Sequence, residues 1–196
     1  MSDLLARARQ GPAALLIEGE AGIGKTTLML NAAAAARSQG YVVLSAHGSP
    51  AEVGYAFAAV ADLLSGLDET VLTGLPHRQR LALDRARDEL TPTVPGIDER
   101  AVAAAFCAAV ERLSARSPVL LAIDDAQWLD PSSRAVVGFT ARRLSAGAAL
   151  LVTIRIGEPD PTDEVPWLTF PNPAVAARVR MGPLTLDDVH DLVAAR

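Results

Sequence analysis

The chain has 196 residues, half of them apolar, with aromatic residues at only 4% and a formal net charge of −5. That length suits one large domain of about 100–200 residues, long enough to bury a core of its own. The mild acidity makes no general case for nucleic-acid binding, a single cysteine excludes a disulfide framework, and no apolar run approaches the roughly 18 residues that span a bilayer.

Alanine and leucine supply most of the expected core. Cys107, in Ala-Phe-Cys-Ala-Ala-Val, reads as a small apolar core residue, and no Cys/His cluster suggests zinc. The opening Met-Ser-Asp-Leu-Leu-Ala-Arg lacks a signal-peptide profile, so a cytoplasmic location is expected.

In chain order, residues 3–10 predict a short helix capped by Ser2 or Asp3 and ended by Gly11-Pro12. Residues 13–18, AALLIE, predict a buried strand. Gly19-Glu20-Ala21-Gly22-Ile23-Gly24-Lys25-Thr26 follows and reads G-x-x-x-x-G-K-T, the phosphate-binding P-loop. Glycines let such a loop curl until successive N–H groups face phosphate oxygens. The helix that starts at Lys25 adds the positive end of its dipole. Lys25 is the only lysine in the chain. It is expected to reach the β/γ-phosphates, with the Thr26 hydroxyl available to Mg²⁺. Gly19 through Thr27 form the expected nucleotide-binding set.

That helix is expected over 25–39, with Gly40 just past its end. Residues 41–46, YVVLSA, predict a strand closed by His47-Gly48-Ser49-Pro50; His47 reads there as structural. Residues 51–117 carry no strand pattern. Helices are expected over 55–64 and 78–90, a break over 91–96, and a long helix capped by Asp98 running to about residue 115. This helical insertion could contact a partner or simply be solvated. Residues 118–125 predict a buried strand ending in Asp124-Asp125. Asp130-Pro131 fits an N-cap with proline at N1, opening a helix to Leu144; Gly147 ends the loop after it. Residues 148–155 predict another strand, 157–173 a proline-rich loop, and 176–181 a last short strand. Thr185-Leu186-Asp187-Asp188 has capping-box spacing and predicts a further helix. There is no internal repeat.

Strands alternating with helices predict an α/β fold with a mostly parallel sheet covered on both faces. Ligands then bind beyond the carboxyl ends of the strands. Three such ends converge: the P-loop, Asp124-Asp125 and Thr153-x-Arg155. Asp124 ends an apolar strand as a Walker B residue and would hold Mg²⁺ opposite Thr26. Asp125 could orient or deprotonate an attacking water; its other reading is a turn cap. Arg155 could contact a γ-phosphate; its other reading is a surface arginine opening a loop.

Glu18 to Leu28, Ile123-Asp124-Asp125-Ala126-Gln127-Trp128-Leu129-Asp130 and Arg142-Arg143-Leu144 together resemble the STAND branch of P-loop ATPases in the AAA/ASCE superfamily. More narrowly, they resemble the ATPase module of large LuxR-type bacterial transcriptional regulators. Tyr55-Ala56-Phe57 and Gly182-Pro183-Leu184-Thr185 extend the likeness. The resemblance implies a three-layer P-loop NTPase of ASCE type with a five-stranded sheet in the order 5-1-4-3-2. It also implies ATP·Mg²⁺ binding, slow hydrolysis to ADP and phosphate, and an ATP/ADP switch that controls assembly. Lys25, Asp125 and Arg155 would serve catalysis, and Thr26 and Asp124 the metal. Residues 1–182 would form the ATPase core and 183–196 the start of a helical lid. In full-length members a winged helix, helical repeats and a helix-turn-helix follow. Self-association or downstream domains are the expected partners, with no direct nucleic-acid or membrane contact by this segment.

Two departures stand out. A Gly-Arg-Glu segment that helps hold adenine in the family is missing from residues 1–10, and Asp125 is one methylene shorter than the glutamate of fast relatives. Two other readings share the P-loop: a small-molecule kinase, and a nucleotide-binding interaction domain without hydrolysis. The paired Asp124-Asp125 and Thr153-x-Arg155 argue against the kinase.

Overall fold

The computed structural model describes residues 2–88, 98–156 and 165–183. Five strands make one sheet: β1 (Ala13–Gly19), β2 (Val42–His47), β3 (Val119–Asp124), β4 (Ala148–Arg155) and β5 (Ala176–Arg180). All pairings are parallel, in the order β2-β3-β4-β1-β5. This is the expected 5-1-4-3-2 sheet, and with its covering helices it is a P-loop NTPase fold.

The period of two along each strand sorts the core into two layers. Leu120, Ala122, Ala149 and Leu151 face one side. They pack there with Leu4, Leu5 and Ala8 of α1 (Ser2–Gln10) and Met29, Ala32 and Ala36 of α2 (Lys25–Ser38). Leu121, Ile123, Leu150 and Val152 face the other. That side is covered by α3 (Ala58–Ser65), α4 (Glu69–Thr73), α5 (His77–Asp88), α6 (Glu99–Ser114) and α7 (Pro131–Ala141). β3 is buried along its whole length, as a central parallel strand must be.

Several ends follow from local chemistry. Gly40 sits at φ 81° beyond α2; its N–H donates to Arg37 O and that of Tyr41 to Ala36 O, each at 3.0 Å. This is a Schellman closure, and it places Tyr41 outside β2. Asp98 caps α6 by accepting from the Arg100 and Ala101 N–H groups. Cys107 is buried with its Sγ donating to Glu111 Oε1 at 3.7 Å, and burial, with Glu111 adding to it, pushes its thiol up to about 11.

Other features also differ from expectation. The helix expected from Tyr55 begins at Ala58, because Phe57 is held at φ 63° and its N–H donates to Asp130 Oδ1 at 2.9 Å. The helix after Asp130 ends at Ala141 rather than Leu144. A 3₁₀ turn over Ala126–Trp128, unforeseen in the sequence, separates Asp125 from α7. The break expected over 91–96, much of the proline-rich loop, and the capping box Thr185 to Asp188 with its helix lie outside the described residues. Among the described residues no helix is long and apolar enough to cross a membrane.

Candidate nucleotide site

β1 delivers the chain to the loop at Gly19, and α2 takes it away at Lys25. Gly22 and Gly24 have φ of 76° and 99°, conformations that non-glycine side chains rarely adopt. Gly24 stands at the N-cap of α2 and offers no side chain to close it. The first N–H groups of α2 therefore have no side-chain cap and point into the loop. Lys25 is only 6% exposed. Its Nζ donates to Gly19 O at 2.9 Å and Glu20 O at 2.8 Å. An ammonium has three donors, so one remains for a phosphate oxygen.

The second wall comes from β3. The Thr26 hydroxyl donates to Asp124 Oδ2 at 2.7 Å. The Thr153 hydroxyl, on β4, donates to Asp124 Oδ1 and accepts from the Asp125 N–H at 2.9 Å. Asp124 and Thr153 are both buried. Thr153 thus fixes the carboxylate of one aspartate and the backbone of the next.

Asp125 leaves the strand at φ 49°, ψ 50°, an uncommon conformation for a non-glycine residue that aspartate tolerates better than most. Its carboxylate caps no helix; Asp130 caps α7 instead, through the Ser133 N–H at 2.8 Å. Gln127 clamps Asp125 from the far side. Its Nε2 donates to Asp125 Oδ1 at 3.1 Å, while its Oε1 accepts from the Arg155 N–H at 2.9 Å.

Arg155 pairs in register with Gly19, so its backbone stands beside the P-loop entrance with an exposed side chain. His47 pairs with Asp124, and its Nδ1 lies 3.5 Å from Asp124 Oδ2. Ligand atoms of His47, Asp124 and Asp125 lie within 4.8 Å of one another. A cavity of about 360 Å³ opens here, lined by Thr26, Leu30, His47, Asp62 and Asp124. Burial, and then Glu52, raise the Asp62 carboxyl above its ordinary range, while the His47 backbone and ring partly oppose them.

The donor set fits a hard divalent ion. Thr26 Oγ1 and Asp124 Oδ2 are spaced like adjacent corners of an octahedron, about 3 Å apart at Mg²⁺–O distances of 2.0–2.1 Å. All the expected site residues therefore sit at one end of the sheet. Three contributors are not legible as such in the sequence: it marks Thr153 only as a neighbour of Arg155, Gln127 only as part of a motif, and His47 only as a structural histidine. Each has a distant partner that local pattern cannot reach: Asp125 and Asp124 lie 28 and 29 positions from Thr153, Arg155 lies 28 from Gln127, and Asp124 lies 77 from His47, one strand across.

Residues 1–153 match the family described as AAA ATPase domain. An uncharacterized protein of Rhizobium meliloti (strain 1021) is 27% identical over 206 residues, covering 93% of this chain. The chain spans only 19% of that relative's length. Among solved structures, the Aeropyrum pernix ORC1 protein in complex with DNA aligns at TM-score 0.53 and 20% identity, over 99% of this chain and 46% of that one. Drosophila ORC bound to DNA aligns at 0.50 and 15%, over 99% and 44%. At such identities the two structures speak for the fold alone.

Proposed function

The chain belongs to the AAA ATPase domain family, and from that premise we propose that it is an ATP·Mg²⁺-binding module that hydrolyses ATP slowly and works as a switch. One observation carries the reading: Thr26 of the P-loop and Asp124 of β3 meet through a 2.7 Å hydrogen bond beside the buried Lys25. This is the arrangement that a triphosphate with its metal requires.

The phosphates rest on the N–H groups of the loop from Gly22 to Thr27, with Lys25 against the β/γ end. Thr26 and Asp124 would hold Mg²⁺, which when bound would neutralise charge on the phosphate oxygens. Asp125 orients the attacking water and accepts its proton. Gln127 keeps that carboxylate in place. Arg155, at the strand end next to Gly19, meets the γ-phosphate and registers its loss. Asp125 reaches less far than a glutamate, in keeping with slow turnover.

The regulatory output rests on the sequence resemblance to LuxR-type regulators and their STAND relatives. In that setting the ATP/ADP state controls self-association or the contacts of neighbouring domains. Titration with a fluorescent ATP analogue and Mg²⁺ tests the site: Lys25→Ala and Asp124→Ala should each lower affinity at least about tenfold. Unchanged affinity in both variants would sink the assignment. Single-turnover phosphate release should be lost in Asp125→Asn, and should need no added acceptor, as a kinase would.

A further inference from the structure

A second cavity, of about 380 Å³, lies between α6, α7 and the 165–170 segment, away from the P-loop. That volume lies in the range of small-molecule sites. Three arginines line it, Arg100, Arg134 and Arg142, in a chain whose net charge is −5. Among the described residues Glu99 is the one carboxylate on its wall, and it already accepts from the Ser132 hydroxyl at 2.6 Å. Among the described residues no carboxylate comes within ion-pairing distance of the three guanidinium groups.

Arg134 makes the imbalance sharper. One of its terminal nitrogens donates to Gln127 O at 2.8 Å, but its Nε is buried with no partner among the described residues. A buried cationic donor left unpaired is costly, so it calls for an acceptor.

The rest of the wall is apolar and aromatic, with Phe139 and Trp167 as its large members. Arg143 stacks over the Phe139 ring at 3.6 Å and fixes that wall. Gly138 makes room for the other: a Cβ there would meet Trp167 O at 2.6 Å and the indole at 3.6 Å.

We propose that this cavity binds a small organic anion. A carboxylate or phosphate head group sits on the arginines, whose forked donors match such oxygens, and a flat apolar body lies against Phe139 and Trp167.

Calorimetric titration of the full chain with phenyl phosphate, benzoate and inorganic phosphate tests this. Phenyl phosphate or benzoate should bind one per chain, and inorganic phosphate, lacking the apolar body, more weakly. Arg100→Gln and Arg142→Gln, both at exposed positions, should each weaken binding about tenfold with unchanged melting temperature. Lys25→Ala should leave it intact, which separates this cavity from the P-loop. The proposal fails if neither arginine variant affects binding, if Lys25→Ala abolishes it, or if neither organic anion binds. It also fails if binding appears only after Glu158, Asp160, Asp163 and Glu164 are neutralised, since the arginines then serve the chain's own acidic stretch.

Discussion

The Thr153 hydroxyl stands between two consecutive aspartates, donating to the Asp124 carboxylate and accepting from the Asp125 N–H. Thr153→Val keeps the shape and removes both bonds. One part-buried N–H is then orphaned and one buried carboxylate oxygen loses its donor. The expected cost is about 1–3 kcal/mol, a fall in melting temperature of roughly 2–4 °C per kcal/mol at this size. Phosphate release should fall as well, and Thr153→Ser should recover most of both. A stability loss with full hydrolysis would show that the bridge only holds the sheet.

Gly48 lies against the turn that follows β3, and its N–H donates to Asp124 O at 2.8 Å. A Cβ at this position would come within 2.3 Å of Asp125 O. Gly48→Ala must therefore displace the backbone of Asp125, at a cost of about 1–3 kcal/mol. The P-loop is untouched. Nucleotide affinity in a fluorescence titration should change less than twofold to threefold, roughly, while single-turnover release drops at least about tenfold.

Asp130 Oδ1 accepts from Ser133 and from Phe57, tying α7 to the left-handed turn that precedes α3. Asp130→Ala leaves two buried donors unsatisfied and should cost about 2–4 kcal/mol in urea denaturation. Asp130→Asn keeps an acceptor oxygen for both and should cost only ~1 kcal/mol. Equal losses in the two variants would refute this division between hydrogen bonding and charge.

Asp62 supplies a pH signature. Its carboxyl is raised, by burial first and Glu52 second. Between the unfolded value, about 3.9, and that raised value the folded state holds more protons than the unfolded state. Stability therefore falls as pH rises through this window and stays lower above it. Asp62→Asn should be more stable than the parent at pH 7 and show no advantage near pH 3. A constant difference across both pH values would assign the effect to packing instead.

Much of this organisation is legible in the sequence because it is local. The G-x-x-x-x-G-K-T run, the apolar strand ending in Asp124-Asp125, and the Asp98 and Asp130-Pro131 caps each declare themselves within a few residues. Gly40 does the same for the end of α2. What stays hidden is carried by contacts between distant segments. Phe57 leaves helical geometry because of a carboxylate 73 positions later. The indispensable feature of Gly48 is a carbonyl on Asp125, which no residue near Gly48 announces. Gln127 shows its role only once β4 brings the Arg155 N–H alongside.

Lys25 is folded back on the Gly19 and Glu20 carbonyls, which hold its side chain in one place. Immobilising a free lysine side chain costs about 1.5–2 kcal/mol of rotamer entropy. Here that loss falls on folding, so on the proposed reading a triphosphate would meet a cation whose position is set. On the proposed reading the consequence is kinetic as much as energetic: capture would need no search by the lysine, and the rate of nucleotide association would be left to encounter and to the parts of the pocket beyond the phosphates.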